Sequence, residues 1–135
     1  MKTPIRFIII DDDSTNNLLC GIMIEAAAGE SRIDDFRHPE KGLEYIKEQY
    51  SSGTHPTILF LDINMPTCSG WEFLDLFEKL DEKIKDQFKI YMLSSSLNPG
   101  DQQRALENEN VVDYLEKPLS ESTVLSILNS QNGLT

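Results

Sequence analysis

The sequence has few cysteines and no long hydrophobic run. Its two cysteines, Cys20 and Cys68, lack the short spacing that metal and redox motifs need. Cys20 lies among apolar residues of a predicted helix and is expected to be a buried free thiol, in keeping with a reduced, cytoplasmic setting. No stretch approaches the roughly 20 apolar residues of a membrane span, and the first apolar run is too short for a signal peptide.

Basic residues are also scarce, with 12 Lys and Arg against 23 Asp and Glu, for a formal net charge of −11. This balance argues against direct nucleic-acid binding, which needs Lys and Arg to displace counterions. The hydrophobic fraction of 39% suits a folded globular protein. The sequence contains no repeat, low-complexity segment or linker, so residues 1–135 are predicted to form a single domain without an output domain.

Apolar runs of strand length alternate with segments of helical periodicity. This βα alternation predicts a parallel sheet with helices on both faces. The first helix is expected to bury Leu18, Leu19, Ile22, Met23 and Ala26. The predicted strands are 5–10, 31–36, 56–63, 88–96 and 111–118, and the predicted helices are 14–29, 38–53, 69–86, 98–110 and 119–131.

Polar residues stand where four of the predicted strands end. The stretch "IIIDDDST" places Asp11, Asp12 and Asp13 after the first strand, and Asp62 and Asn64 end the third. Ligands of open α/β sheets bind at this carboxyl edge. If the two strands are neighbours, their carboxylates need a counterion, and Mg²⁺ prefers such oxygen ligands. Taken singly, Asp13 is more simply a helix cap.

The fourth and fifth strands end in residues that suit phosphoryl chemistry. Ser94 to Ser96 stand at the end of the fourth strand, and Lys117 and Pro118 at the end of the fifth. A lysine supplies a point charge for a phosphoryl oxygen, and a serine hydroxyl can donate to the same group. The Asp62 carboxylate is a suitable nucleophile for an aspartyl phosphate. Alone, Lys117 would be read as a surface lysine and the serines as a loop.

Four stretches in order resemble the receiver domain of two-component response regulators, in its stand-alone CheY-like form. They are "IIIDDDST", "LFLDINMPTCSGWEFL", "YMLSSS" and "DYLEKP", and the resemblance spans nearly the whole chain. It implies a flavodoxin-like (CheY-like) doubly wound α/β fold. Such a fold has a five-stranded parallel sheet in strand order 2-1-3-4-5 between two helical layers.

The resemblance also implies roles for individual residues. Asp62 matches the phosphoacceptor, and Asp11, Asp12 and the Asn64 backbone carbonyl match the Mg²⁺ (or Mn²⁺) site, with Asp12 a direct ligand. The other matches are Lys117, the charge partner of the phosphoryl group; Ser94 and Tyr114, the switch residues; and the structural residues Pro66, Gly70 and Pro118, the last often after a cis bond. Tyr114 is expected to move inward on phosphorylation, although plain core packing explains it equally well.

The implied function is a signalling phosphoacceptor that catalyses only its own phosphorylation and dephosphorylation. A sensor histidine kinase or a histidine phosphotransfer protein would supply the phosphoryl group. The face of the fourth helix, fifth strand and fifth helix would then bind an unknown downstream protein, or a second copy as a weak dimer. Two alternatives stay open: a Mg²⁺-dependent phosphohydrolase with an aspartyl nucleophile, and a binding module that is never phosphorylated.

Overall fold

The structure, a computed structural model, describes residues 4–132, in which strands and helices alternate. The strands are Arg6–Ile10 (β1), Ile33–Phe36 (β2), Thr57–Asp62 (β3), Phe88–Ser94 (β4) and Val111–Glu116 (β5). The helices are Ser14–Ala28 (α1), Pro39–Gln49 (α2), Gly70–Glu78 (α3), Glu82–Lys85 (α4), Pro99–Leu106 (α5) and Glu121–Asn132 (α6). The five predicted strands are therefore confirmed.

The strands form one parallel sheet in the order β2-β1-β3-β4-β5, as predicted. The central strand β3 is buried along its whole length, which explains its unbroken apolar sequence. In the register of the sheet, Ile10 pairs with Leu61, Asp62 with Leu93, and Ser94 with Glu116. The carboxyl ends of β1, β3, β4 and β5 consequently lie at one level of one edge.

Two hydrophobic cores cover the two faces of the sheet. One core packs α1 and α6 onto the sheet through residues such as Cys20, Ile24 and Val124. The other packs α2, α3, α4 and α5 through Ile46 and Phe77, among others. The result is the predicted three-layer α/β/α arrangement. None of the helices between residues 4 and 132 is long and apolar enough to cross a membrane.

Helix α1 differs from the sequence prediction in the face that it buries. Its buried residues are Asn17, Cys20 and Ile24, whereas Leu18 is 65% and Ile22 47% exposed. The polar Asn17 faces inward because its side-chain amide donates to the Asp11 carbonyl oxygen at 3.0 Å. A hydrophobicity pattern assigns leucine rather than asparagine to a core, so the predicted inner face of this helix was wrong.

The predicted third helix, 69–86, is two helices in the structure. Helix α3 ends at Glu78, and the short α4 begins at Glu82 after the extended residue Asp81. Lys85 bridges the break, because its ammonium binds the Glu78 carbonyl oxygen at 3.0 Å and the Glu82 carboxylate at 2.9 Å. Apolar residues on both sides of the break pack into the same core. The sequence pattern therefore does not indicate that the helix is interrupted.

Candidate functional site

The candidate site lies at the carboxyl edge of the sheet. Asp11 and Asp12 directly follow β1, Asp62 is the last residue of β3, and Ser94 is the last residue of β4. Lys117 directly follows β5. Four separate segments of the chain therefore contribute polar side chains to one crevice, at the place where the strand order reverses and open α/β sheets bind ligands.

Lys117 joins the two buried aspartates. Its ammonium lies 2.7 Å from one carboxylate oxygen of Asp11 and 3.0 Å from one oxygen of Asp62. Asp11 is 1% and Asp62 5% exposed. Carboxylates this deeply buried need hydrogen bonds and opposite charge, and Lys117 supplies both to each of them.

Asp11 accepts two further hydrogen bonds. The Asn16 side-chain amide donates to the Asp11 oxygen that Lys117 also binds, at 2.7 Å, and the Asp13 backbone N–H donates to the other at 2.9 Å. Asp11 is therefore held by three donors, whereas Asp62 receives one, from Lys117, among residues 4–132. Sequence reasoning missed Asn16; the available signal was an amide in the first turn of a helix that starts beside the site.

Helix α1 is anchored to the same strand end. Asp13 is its N-cap, and its carboxylate accepts from the backbone N–H groups of Thr15 at 2.9 Å and Asn16 at 3.4 Å. The capping explanation of Asp13 is thus confirmed. Since the Asn17 amide binds the Asp11 carbonyl oxygen at 3.0 Å, the turn that contains the acidic residues is fixed by the helix that follows it.

The electrostatics of Asp62 and Lys117 differ. Burial raises the pKa of Asp62 from 3.8 to about 6, and the charges of Asp11 and Asp12 add to the rise while Lys117 opposes it. Burial tends to lower the pKa of Lys117, but its hydrogen bonds to Asp11 and Asp62 outweigh this and raise it above the ordinary value. Lys117 therefore stays charged, and Asp62 carries its charge at an energetic cost that a cation would relieve.

The three carboxylates could hold a divalent cation. Asp11, Asp12 and Asp62 each offer an oxygen, and these oxygens lie within 4.8 Å of one another. Hard cations such as Mg²⁺ bind through one or two carboxylates and keep several waters. Because three donors already hold Asp11, the partly exposed Asp12 and the second oxygen of Asp62 are the freer ligands. The donor set fits Mg²⁺.

Both predicted switch residues contact one backbone carbonyl. The Ser94 hydroxyl donates to the Ser96 carbonyl oxygen at 2.7 Å, and the Tyr114 hydroxyl donates to the same oxygen at 3.1 Å. Tyr114 is 3% exposed and belongs to the core between the sheet and α2, α3 and α5. The Tyr114 ring thus lies inward in this structure, and its role as a switch residue stays a prediction.

The loop after β3 carries the remaining predicted residues. Asn64 and Pro66 are exposed in this loop, and the role of the Asn64 carbonyl as a ligand stays a prediction. Gly70 begins α3 and donates its N–H to the Ile63 carbonyl oxygen at 2.8 Å. A β-carbon on Gly70 would lie 2.6 Å from the Asp62 carbonyl oxygen, so only glycine lets α3 start this close to β3. The Lys117–Pro118 peptide bond is cis.

The sequence profile of the family described as "Response regulator receiver domain" matches residues 7–129. The chain belongs to this family. Its fold is close to that of a two component response regulator from Cytophaga hutchinsonii, with a TM-score of 0.88 and 30% sequence identity. That alignment covers 98% of this chain and 99% of the other.

Curated relatives place similar receiver domains within much longer proteins. A protein-glutamate methylesterase/protein-glutamine glutaminase 3 from Burkholderia thailandensis is 29% identical over 86% of this chain, which spans 30% of that protein. A hybrid signal transduction histidine kinase C from Dictyostelium discoideum is 24% identical over 94% of this chain, which spans 10% of it. This receiver domain therefore corresponds to a minor part of each of these relatives.

Proposed function

We propose that Asp62 accepts a phosphoryl group, in a reaction that depends on Mg²⁺, from a sensor histidine kinase or a histidine phosphotransfer protein. One observation carries the proposal: Asp11, Asp12, Asp62 and Lys117, from three different strand ends, converge around one small volume. The relatives that are themselves hybrid histidine kinases support this class of donor. The chain would act as a signalling phosphoacceptor that catalyses only its own phosphorylation and dephosphorylation.

Different residues of the chain have different roles in the phosphoryl transfer. Lys117 holds one oxygen of Asp62 at 3.0 Å, so the other oxygen is the nucleophile. Its lone pair forms the new O–P bond while the N–P bond of phosphohistidine breaks, and the electron pair returns to the imidazole nitrogen. The charged Lys117 then meets the added phosphoryl oxygens. A bound Mg²⁺ would neutralise charge on those oxygens, and Asp12 with Asp62 would hold it.

Asp11 acts indirectly in this scheme. Its three hydrogen bonds leave it little free capacity, and its 2.7 Å contact with Lys117 fixes the ammonium beside Asp62. We therefore assign Asp11 chiefly to the orientation of Lys117, and Asp12 to direct metal ligation. Both assignments keep the acidic pair in the site while giving the two residues different tasks.

Phosphorylation would be sensed through Ser94. To donate to a phosphoryl oxygen, the Ser94 hydroxyl must leave the Ser96 carbonyl oxygen, which Tyr114 also binds. This exchange would alter the loop between β4 and α5 and hence the output face, defined as α5, β5 and α6. That face exposes Leu106, Val112 and Leu125, which suit contact with a downstream protein or a second copy. Such a change is a population shift between two states.

The direct test is labelling by a small phosphoryl donor. Incubation with Mg²⁺ and acetyl phosphate should add one phosphoryl group, visible by intact-mass spectrometry, and Asp62→Asn should abolish it. Asp12→Ala should weaken Mg²⁺ binding measured by calorimetry without a donor. Full labelling of the Asp62→Asn protein would refute the assignment. Continuous turnover of free phosphate esters would instead favour the phosphohydrolase, and an unlabelled wild-type chain would favour the binding module.

A further inference from the structure

A small cleft opens beside Asp12, between the loop that precedes α2 and the loop that precedes α3. Its volume is about 230 Å³. This is below the range of about 300–1,000 Å³ typical of drug-sized ligand pockets, and a water occupies about 30 Å³. The cleft therefore has room for a group of a few heavy atoms, such as one carboxylate. It is lined by Asp12, Arg37, His38, Pro39, Met65, Pro66 and Thr67.

Arg37 brings a positive charge to this cleft. Its Nε–H donates to the Asp12 backbone carbonyl oxygen at 3.5 Å, which places the guanidinium next to the metal-binding cluster. Within residues 4–132 it forms no ion pair. Its other N–H groups thus remain available to an incoming anion.

Three other basic side chains already bind a partner within the chain. Lys117 binds Asp11 and Asp62, Arg32 binds Asp34, and Arg104 lies over the Trp71 ring at 4.2 Å. Arg37 is therefore a cation at the rim of the site that no carboxylate neutralises. His38 lies next to it, and its side chain makes no capping hydrogen bond to α2.

A negatively charged donor has a specific need for such a group. The chain carries a net charge of −11, and the carboxylates of Asp11, Asp12, Asp13 and Asp62 face or flank the crevice. Lys117 and a bound divalent cation would offset this charge around the transferred phosphoryl group. The leaving group of the donor would lie farther from both of them. A rim cation raises the local concentration of anions and stabilises negative charge that develops there.

We propose that Arg37, assisted by His38, forms a subsite for the carboxylate leaving group of acyl phosphates, and so makes this class of small molecule a preferred donor. The proposal rests on Asp62 being the acceptor. In the step, an Asp62 oxygen forms a bond to phosphorus while the acyl C–O–P linkage breaks at its P–O bond. The electron pair leaves on the carboxylate, beside Arg37, and no proton transfer is required.

The test compares two donors that differ in leaving group. Acetyl phosphate releases a carboxylate, whereas phosphoramidate releases ammonia. For Arg37→Gln, the second-order rate constant of labelling by acetyl phosphate should fall about fivefold at low salt and less at high salt, because the leaving group becomes a carboxylate only as the P–O bond breaks. With phosphoramidate this rate constant should stay within about twofold of wild type. Arg37→Lys, which keeps the charge, should restore most of the loss.

Mg²⁺ affinity, measured by calorimetry without any donor, separates this role from a structural one. Removing a cation from the rim should leave Mg²⁺ binding unchanged or slightly tighter, while damage to the site would weaken it. Lys89→Gln is the matched control, because it removes one exposed positive charge from the opposite edge of the sheet. It should leave the rate constants of labelling by both donors unchanged.

Three outcomes would overturn the subsite: an unchanged rate constant for labelling by acetyl phosphate in Arg37→Gln, an equal fall for both donors, or weakened Mg²⁺ binding. A wild-type chain that neither donor labels would overturn the proposed function and the subsite together. A wild-type chain that is labelled normally, beside an Arg37→Gln chain with an unchanged rate constant, would remove the subsite alone.

Discussion

The two edges of the sheet bury polar groups in opposite ways. At the amino edge, the buried side chains of Tyr50, Thr57 and Gln87 form a neutral and fully paired network. The Thr57 hydroxyl donates to the His55 carbonyl oxygen at 2.7 Å, so the Tyr50 hydroxyl must donate to Thr57 at 2.8 Å. The Gln87 amide donates to the carbonyl oxygens of Tyr50 and Lys83, both at 3.0 Å, and accepts from the His55 N–H at 2.8 Å.

At the carboxyl edge the buried Asp11 and Asp62 are charged and share one compensating cation. One lysine serves both Asp11 and Asp62, and burial raises the pKa of Asp62 to about 6. An apolar environment makes a satisfied neutral network stabilising and a crowded set of carboxylates costly. The amino edge therefore stabilises the fold. The carboxyl edge has negative charge that a cation could neutralise and a carboxylate that could accept a phosphoryl group.

The largest change in stability is expected from Gln87→Leu at the amino edge. This substitution leaves three backbone groups without partners, so the free energy of unfolding should fall by about 3 kcal/mol in urea titrations. Labelling at Asp62 should be unchanged at low temperature. The exposed Gln102→Leu, on α5, is the control and should change stability by less than about 0.5 kcal/mol. Similar losses in both variants would contradict the assigned role of Gln87.

Gly70→Ala tests the close backbone contact under the acceptor. The new β-carbon would lie 2.6 Å from the Asp62 carbonyl oxygen and 3.0 Å from the Ile63 Cα, so backbone must move. We expect a loss of about 2–3 kcal/mol together with slower labelling. Gly21→Ala is the matched control, since its β-carbon would meet nothing within 4 Å and should stabilise α1 by about 0.5–1 kcal/mol. Normal labelling kinetics in Gly70→Ala would show that the contact does not position Asp62.

The raised pKa of Asp62 should make the free energy of unfolding depend on pH. Its pKa of about 6 in the folded chain exceeds the ordinary 3.8, so ionisation opposes folding. Without Mg²⁺, stability should therefore be lost as the pH rises through about 6. This contribution should amount to about 2 kcal/mol, less than the full shift implies, because water at the edge screens the charge. Asp62→Asn should flatten that part of the profile, and parallel profiles would contradict the assignment.

The smallest effect is expected at Asn16. Asn16→Ala removes one of three donors to Asp11, while Lys117 and the Asp13 N–H remain. The loss should be about 1 kcal/mol, with a modest fall in the labelling rate, because Asp11 orients Lys117. The control is Thr15→Ala, whose exposed side chain lies in the same turn. An unchanged labelling rate in Asn16→Ala would limit the residue to a structural role.

The amino-acid pattern predicts β1, β3 and β4 well because each is a short apolar run ended by polar residues, whereas β2 carries two aspartates and gives a weaker signal. It also predicts the convergence of Asp12, Asp62 and Lys117, since parallel strands bring their carboxyl ends to one edge. It fails where one contact overrides hydrophobicity. Asn17 turns inward because it binds the Asp11 carbonyl oxygen, and Leu18 is left outside. Asn16 was missed for a related reason, because hydropathy carries no information on which hydrogen bonds a polar side chain makes.

The shared Ser96 carbonyl oxygen has a consequence for how reversibly the β4–α5 loop can rearrange. A carbonyl oxygen has two lone pairs, and here Ser94 and Tyr114 each donate to it. If Ser94 rotates toward a new acceptor, Tyr114 still satisfies the oxygen, so the rearrangement leaves no orphaned acceptor behind. The Ser96 N–H, which donates to the Ser94 hydroxyl at 3.3 Å, does lose its partner, so the loop would move around the Ser96 carbonyl that Tyr114 holds and could return to it.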